Sequence, residues 1–159
     1  MAVGTVSGIE QENNWQLIAS NSPTGTTTAA SFTSISGYKR VMVVWKALRT
    51  GANAWLYLKV NNDTTVGNYV SSTTYSNANN NESESLLVLD GTDRTNHTGM
   101  IVIENVDKAT PHEVSNFAAY QTTQWTQGIL SSAPITRIDL YNSVSNFSSG
   151  TVELWGVAS

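Results

Sequence analysis

The chain contains no cysteine, which excludes disulfide frameworks, thiolate metal sites and thiol nucleophiles together. Its core and its neighbours must hold it. Charge is scarce as well: Asp, Glu, Lys and Arg make up 13% of the 159 residues, about half the share of an ordinary soluble domain. Eight basic residues stand against twelve acidic ones, for a formal net charge of -4, and Lys39-Arg40 is the only basic pair. Nucleic-acid binding needs a basic footprint to neutralise phosphates, so no nucleic-acid partner is expected. Long apolar runs are missing too. The longest, Val41 to Trp45, falls far short of the roughly 20 residues that span a bilayer. Met1 to Glu12 has neither the cationic start nor the apolar stretch of a secretory signal, and neither a leader nor a membrane partner is expected. No heptad or Gly-X-Y period runs through the chain, which argues against a fibrous stalk.

What the chain does have is 40% hydrophobic residues set in a polar background of Ser, Thr and Asn. Those three compete for nearby backbone groups and are poor helix formers. The length suits one domain with a real core. From Trp15 onward, short apolar stretches alternate with Gly, Asn, Ser and Pro. Strands are expected at 15–20, 29–35, 39–49, 54–61, 85–90, 100–105, 112–120, 124–131, 135–141 and 151–157. About ten strands with turn signals between them imply an all-β, antiparallel, two-sheet sandwich. Residues 1–13 show no period and are expected to form an extended N-terminal arm ahead of a sandwich domain at 14–159.

Several stretches carry sharper expectations. Val41 to Trp45 is apolar on both faces, which a strand tolerates only where protein covers both sides. Arg49-Thr50-Gly51-Ala52-Asn53 reads as a hairpin connection, so Val41 to Trp45 and Trp55 to Val60 are expected to pair. Ser71 to Glu84 is Asn-rich, lacks aliphatic anchors and reads as a long surface loop. Ile138 and Leu140 share one strand face, Arg137 and Asp139 the other.

Catalytic chemistry is sought without result. His97 and His112 sit at separate turns or strand starts and in no HxxxH or HxH pattern, so neither a histidine metal site nor a general base is expected. Of the carboxylates Glu82, Glu84, Asp90, Asp93, Glu104 and Asp107, Glu82 and Glu84 share strand parity, but at the end of the Asn-rich loop they read as a solvated charge pair and not as a glycosidase pair. Asp90-Gly91-Thr92-Asp93 and Asn61-Asn62-Asp63 carry enough oxygen for calcium, but Asp and Asn at such corners are ordinary turn formers. The expected site content is no catalytic residue, no cofactor and no metal. Of the aromatics, Trp45 and Trp155 are expected in the core. Tyr69, Tyr75 and Trp125, with Val3, Val6 and Ile9 of the arm, are the candidate partner-binding residues.

Two segments resemble a known module. The first is Ser31-Phe32-Thr33-Ser34-Ile35, followed by Tyr38-Lys39-Arg40-Val41-Met42-Val43-Val44-Trp45 and then by Trp55 to Asp63. The second is Ile135 to Tyr141, a polar turn at Asn146 to Gly150, and Thr151-Val152-Glu153-Leu154-Trp155-Gly156-Val157. Together they resemble a jelly-roll-like β-sandwich module widespread in structural proteins of tailed bacteriophages, in head decoration (cement) proteins and in tail fibres. The resemblance implies a non-enzymatic virion protein on the capsid exterior, made in the host cytoplasm and commonly trimeric. Its implied partners are copies of itself and the major capsid protein or other virion proteins. A single compact domain with a short arm suits a decoration protein. The alternative is a tail receptor-binding module, whose partner would be a glycan.

Overall fold

The computed structural model describes residues 14–25, 27–52, 54–73, 80–83, 85–92, 96–118, 125–142 and 145–159. The expected arm, residues 1–13, lies outside them. The described residues form twelve strands and no helix. In chain order these are β1 (Gln16–Asn21), β2 (Ala29–Thr33), β3 (Tyr38–Thr50), β4 (Ala54–Val60), β5 (Tyr69–Thr73) and β6 (Asn80–Ser83). They continue as β7 (Leu86–Thr92), β8 (His97–Glu104), β9 (His112–Ala118), β10 (Trp125–Ile129), β11 (Arg137–Asn142) and β12 (Phe147–Ala158).

The strands form two antiparallel sheets, an eight-stranded one in the order β1-β12-β3-β8-β9-β10-β5-β6 and a four-stranded one in the order β2-β11-β4-β7. Four pairs nest inside one another in sequence: β1 with β12, β2 with β11, β3 with β8 and β4 with β7. The β12·β3 and β11·β4 pairings then join them side by side. A long hairpin rolled up so that successive strands alternate between two sheets gives this order, which is the jelly roll. The other four strands come from two insertions. β5 and β6 leave between β4 and β7, β9 and β10 leave between β8 and β11, and all four extend the β8 edge of the larger sheet.

The alternation of side chains sets the core. Val41, Val43 and Trp45 of β3, Ile101 and Ile103 of β8, and Val152 and Leu154 of β12 point inward from the large sheet. Phe32, Leu56, Leu58, Ile138 and Leu140 meet them from the small one in a single cluster. This is the dry layer between stacked sheets. The long strands β3 and β12 change parity midway. Ala47 takes a positive φ of 49°, the register shifts between Trp45 and Leu48, and Leu48 and Thr50 turn inward in place of residues 47 and 49. Opposite the kink Gly150 has φ 112°, and a Cβ there would lie 2.5 Å from Leu48 Cα. Only glycine fits that crossing.

Three expectations are corrected by this architecture. β3 and β4 do not pair: they lie in different sheets, and the Gly51 segment carries the chain across the sandwich edge as a corner. The polar stretch 71–84 is not all loop, because it holds the end of β5 and all of β6. These strands lack an apolar signature because main-chain pairing forms them, β5 on β10 at Tyr69↔Ile129 through Thr73↔Trp125 and β6 on β5 in turn. Asp90 to Thr92, read as a turn, continues β7, and Asp93 lies outside the described residues. The Asn61-Asn62-Asp63 corner is a turn, with positive φ at both asparagines.

Candidate functional site

A sandwich buries one face of each sheet and leaves the other face to solvent or to a partner. On the large sheet that outer face is apolar where the alternation of β3 requires it to be. One row runs across four strands through Leu17, Trp155, Met42 and Val102. The next runs through Glu153, Val44, Met100 and Phe117. Leu17, Met100 and Phe117 are 51%, 41% and 52% exposed, and Met42, Val44, Val102 and Trp155 are half-buried among them. Contiguous exposed apolar patches occur at protein contacts, at ligand grooves and at membrane-facing surfaces.

Four of the charged groups on this face form two ion pairs. Arg40 Nε donates to Glu104 Oε2 at 2.6 Å, between adjacent strands. Lys46 Nζ reaches both oxygens of Glu153 at 2.8 and 2.9 Å, and the Trp155 indole N–H donates to Glu153 Oε2 at 2.9 Å. The Lys46 hydrogen bond, helped by the indole, holds the Glu153 carboxyl below its ordinary range. Two cations and two anions thus cancel around the apolar rows. The Glu113 carboxylate stands exposed on the same face of β9, beyond these pairs.

The structure redistributes the residues expected to bind partners. Tyr69 is buried at 1% exposure, a correction to its expected place on the surface. Its hydroxyl accepts the Val60 N–H at 3.2 Å and donates to the Asp63 carbonyl at 3.1 Å. Flanking a polar loop gave no information about where the ring points, since the first residue of β5 faces the core. Burial pushes its phenol up to about 12. Trp155, expected in the core, stands half-exposed on the outer face. Trp125 opens β10 opposite Thr73 and Asn116. Val3, Val6, Ile9 and Tyr75 lie outside the described residues. The outer-face residues Leu17, Met42, Met100 and Phe117 were not singled out from sequence. Their signal was the two-faced apolarity of Val41 to Trp45, together with the same alternation in β8 and β9.

The residues weighed for catalysis are dispersed or engaged. His97 and His112 start β8 and β9, and both are buried. The His112 ring lies between two backbone carbonyls, with Nδ1 3.0 Å from Asn105 O and Nε2 3.1 Å from Ala133 O. It ties the β8–β9 turn to the connection entering β11. Glu104 is paired with Arg40, and Asp107 receives the Ser159 hydroxyl at 2.8 Å. Glu84 and Asp93 lie outside the described residues. Among the described residues no three His, Asp or Glu side chains gather where they could hold a metal ion. No protein-family model and no curated protein matches the chain.

Proposed function

We propose that the chain is a non-enzymatic virion structural protein of the tailed-phage type, a head decoration protein that binds the capsid exterior. The apolar outer face of the eight-stranded sheet carries this reading. A monomer has no use for Leu17, Met100 and Phe117 in water, whereas a protein seated on a lattice covers them. The resemblance of Ser31 to Asp63 and Ile135 to Val157 to phage structural modules supplies the virion context. The quoted residues fall in β2, the first part of β3, β4, β11 and most of β12, five of the eight strands of the nested jelly-roll pairs.

The mechanism is mass action. A protein that binds only the assembled lattice stabilises it by its binding free energy, and self-association into a trimer multiplies the contacts made per particle. The test is co-sedimentation of the purified full chain with phage particles that lack it, alongside light scattering of the chain alone. The expected results are a trimer and saturable attachment, and an attachment loss of at least about tenfold when Met100→Glu and Phe117→Glu place charge on the face. Deleting residues 2–12 is expected to leave the domain folded and weaken attachment. Failure of the native chain to attach, or undiminished attachment by the double variant, overturns the reading.

A further inference from the structure

A pocket of about 170 Å³ opens where the β2–β3, β8–β9 and β10–β11 connections meet. Main-chain bonds tie these connections to one another. Ile35 N–H donates to the Thr136 carbonyl at 3.0 Å, Ile135 N–H to Val106 at 2.8 Å, and Val106 N–H to Lys39 at 3.0 Å. The pocket is therefore preformed. Ile35, Val106 and Ile135, each at most 2% exposed, give it an apolar floor, and Tyr38 and Pro134 line it beside them. Among the described residues that line it, Asp107 alone carries charge. Asp107 Oδ2 accepts the Ser159 hydroxyl at 2.8 Å and lies 3.2 Å from Lys108 Nζ. Its Oδ1 is buried with no donor in hydrogen-bonding geometry. The Ser159 hydroxyl, and after it Lys108, hold this carboxyl below its ordinary range, so it is anionic at neutral pH. A buried anionic oxygen without a donor is costly, and such a group in a folded protein needs an explanation.

We propose that this pocket binds a small organic ammonium ion, with the ammonium on the Asp107 carboxylate and the hydrocarbon body on Ile35, Val106 and Ile135. An apolar cavity with one placed polar group is the ordinary make-up of a small-molecule site. The sign of the ligand follows from Asp107: an anion is repelled, and a neutral hydrocarbon leaves the carboxylate as short of a donor as before. The net charge of -4 favours the approach of cations as well. An inorganic cation would need several oxygen ligands, whereas among the described residues no three acidic or histidine side chains gather to hold one. Size sets the body. A cavity of roughly 150 Å³ receives benzene, so a ligand of about six to eight non-hydrogen atoms fits. A peptide segment does not, because its backbone N–H and C=O groups would find no partners on an apolar floor. Lys108 is the competitor for the carboxylate. Its side chain is 62% exposed, and an ion pair so open to solvent is weak, so an ammonium whose stem rests on the floor displaces it. The pocket shares no lining residue with the apolar rows of the large sheet, and ammonium binding is independent of capsid attachment.

The test titrates the full chain with cyclohexylamine, with the neutral isostere cyclohexanol and with cyclohexanecarboxylate, followed by two-dimensional NMR of backbone amides. The amine is expected to give saturable shifts confined to the amides of 35–38, 106–108 and 135–136. Cyclohexanol should bind at least about tenfold more weakly, having lost the charge-assisted bond, and the carboxylate should give no saturable shift. Asp107→Asn keeps the side-chain shape and an acceptor for Ser159, and should weaken amine binding about tenfold. Lys108→Gln removes the competitor and should tighten it about two- to threefold. Should Asp107→Asn disturb the fold, the comparison of amine with alcohol on the native chain decides by itself. No saturable shift with the amine, shifts that map elsewhere, or equal binding of amine and alcohol overturns the proposal.

Discussion

Gly99 of β8 lies flat against the indole of Trp45 on the neighbouring strand: a Cβ at Gly99 would sit 2.4 Å from Trp45 Cζ2 and 2.9 Å from the Phe117 carbonyl oxygen. The largest buried ring of the core therefore occupies space that any side chain at position 99 would take. Trp45 Nε1 is also buried with no hydrogen-bond partner, a cost tolerated for the volume the ring fills. Gly99→Ala is expected to destabilise the fold by about 1–3 kcal/mol, since the backbone oxygen on one side cannot yield as a flexible side chain would. The smaller ring of Trp45→Phe, which also removes the orphan N–H, should recover part of that loss in the double variant. Denaturant midpoints of the four proteins in the cycle measure it. Strict additivity would mean that the two residues do not compete for the same space.

Tyr69 links stability to alkaline pH. Burial raises its phenol from 10.0 to about 12. Below pH 10 the ring is protonated in folded and unfolded chains alike, and its contribution is fully present. Between 10 and 12 the unfolded chain releases the proton first, so stability falls as pH rises through that window. Tyr69→Phe is expected to flatten this part of the unfolding profile relative to the native chain. At neutral pH it should cost about 1–3 kcal/mol, because the Val60 N–H and the Asp63 carbonyl lose their partner. Equal alkaline slopes for the two proteins would show that Tyr69 does not titrate there.

The strands legible in the sequence were those whose burial writes a period of two into the residues. β3 shows it at Val41, Val43 and Trp45, and β11 at Ile138 and Leu140, and both were placed from their apolar residues. β5 and β6 were missed because the polar residues at 71–73 and 80–83 give no such pattern, and their existence depends on the strand alongside, β10 for β5 and β5 for β6. The β3–β4 pairing failed for a related reason: Gly51 predicts a change of direction, while the choice between hairpin and corner is made by the sheet each strand joins. Trp155 was misplaced although its parity was readable. The alternation that turns Val152 and Leu154 inward puts Trp155 beside Glu153 and Thr151 on the outer face. The apolar outer face was partly legible through the double-faced run Val41 to Trp45. The pocket beside Asp107 was not, because only the fold brings Ile35, Val106 and Ile135 together from three separate connections.

His112 acts as a buried cross-link. Its ring spans the carbonyls of Asn105 and Ala133, which belong to connections distant in sequence. His112→Ala removes the ring from between the two carbonyls, with the N–H it donates, and opens a cavity, and the expected loss is about 2–4 kcal/mol. Amide hydrogen exchange should quicken first in the segments around 105 and 133, ahead of β3. Exchange that quickens uniformly would mean that the ring supports the fold as a whole and does not pin these two segments.

The Asn61-Asn62-Asp63 corner has the oxygen content of a calcium loop, and its hydrogen bonds explain why a turn is the better description. Asn61 Oδ1 accepts from the Thr136 N–H at 2.8 Å, the Thr136 hydroxyl at 3.2 Å and the Arg137 N–H at 3.1 Å, while its Nδ2 donates to the Pro134 carbonyl at 3.0 Å. Asp63 Oδ1 accepts the Thr65 N–H at 2.9 Å, and Oδ2 accepts from Asn68 Nδ2 at 2.7 Å. A cation would have to displace these donors one by one. Added calcium is therefore expected to leave the thermal midpoint unchanged, and a rise that saturates with calcium would refute this assignment. Asn61→Ala should cost about 2 kcal/mol through lost bonds and a positive φ that alanine resists. Asn61→Asp keeps the acceptor oxygen and forfeits only the donor to Pro134, so its loss should be the smaller of the two.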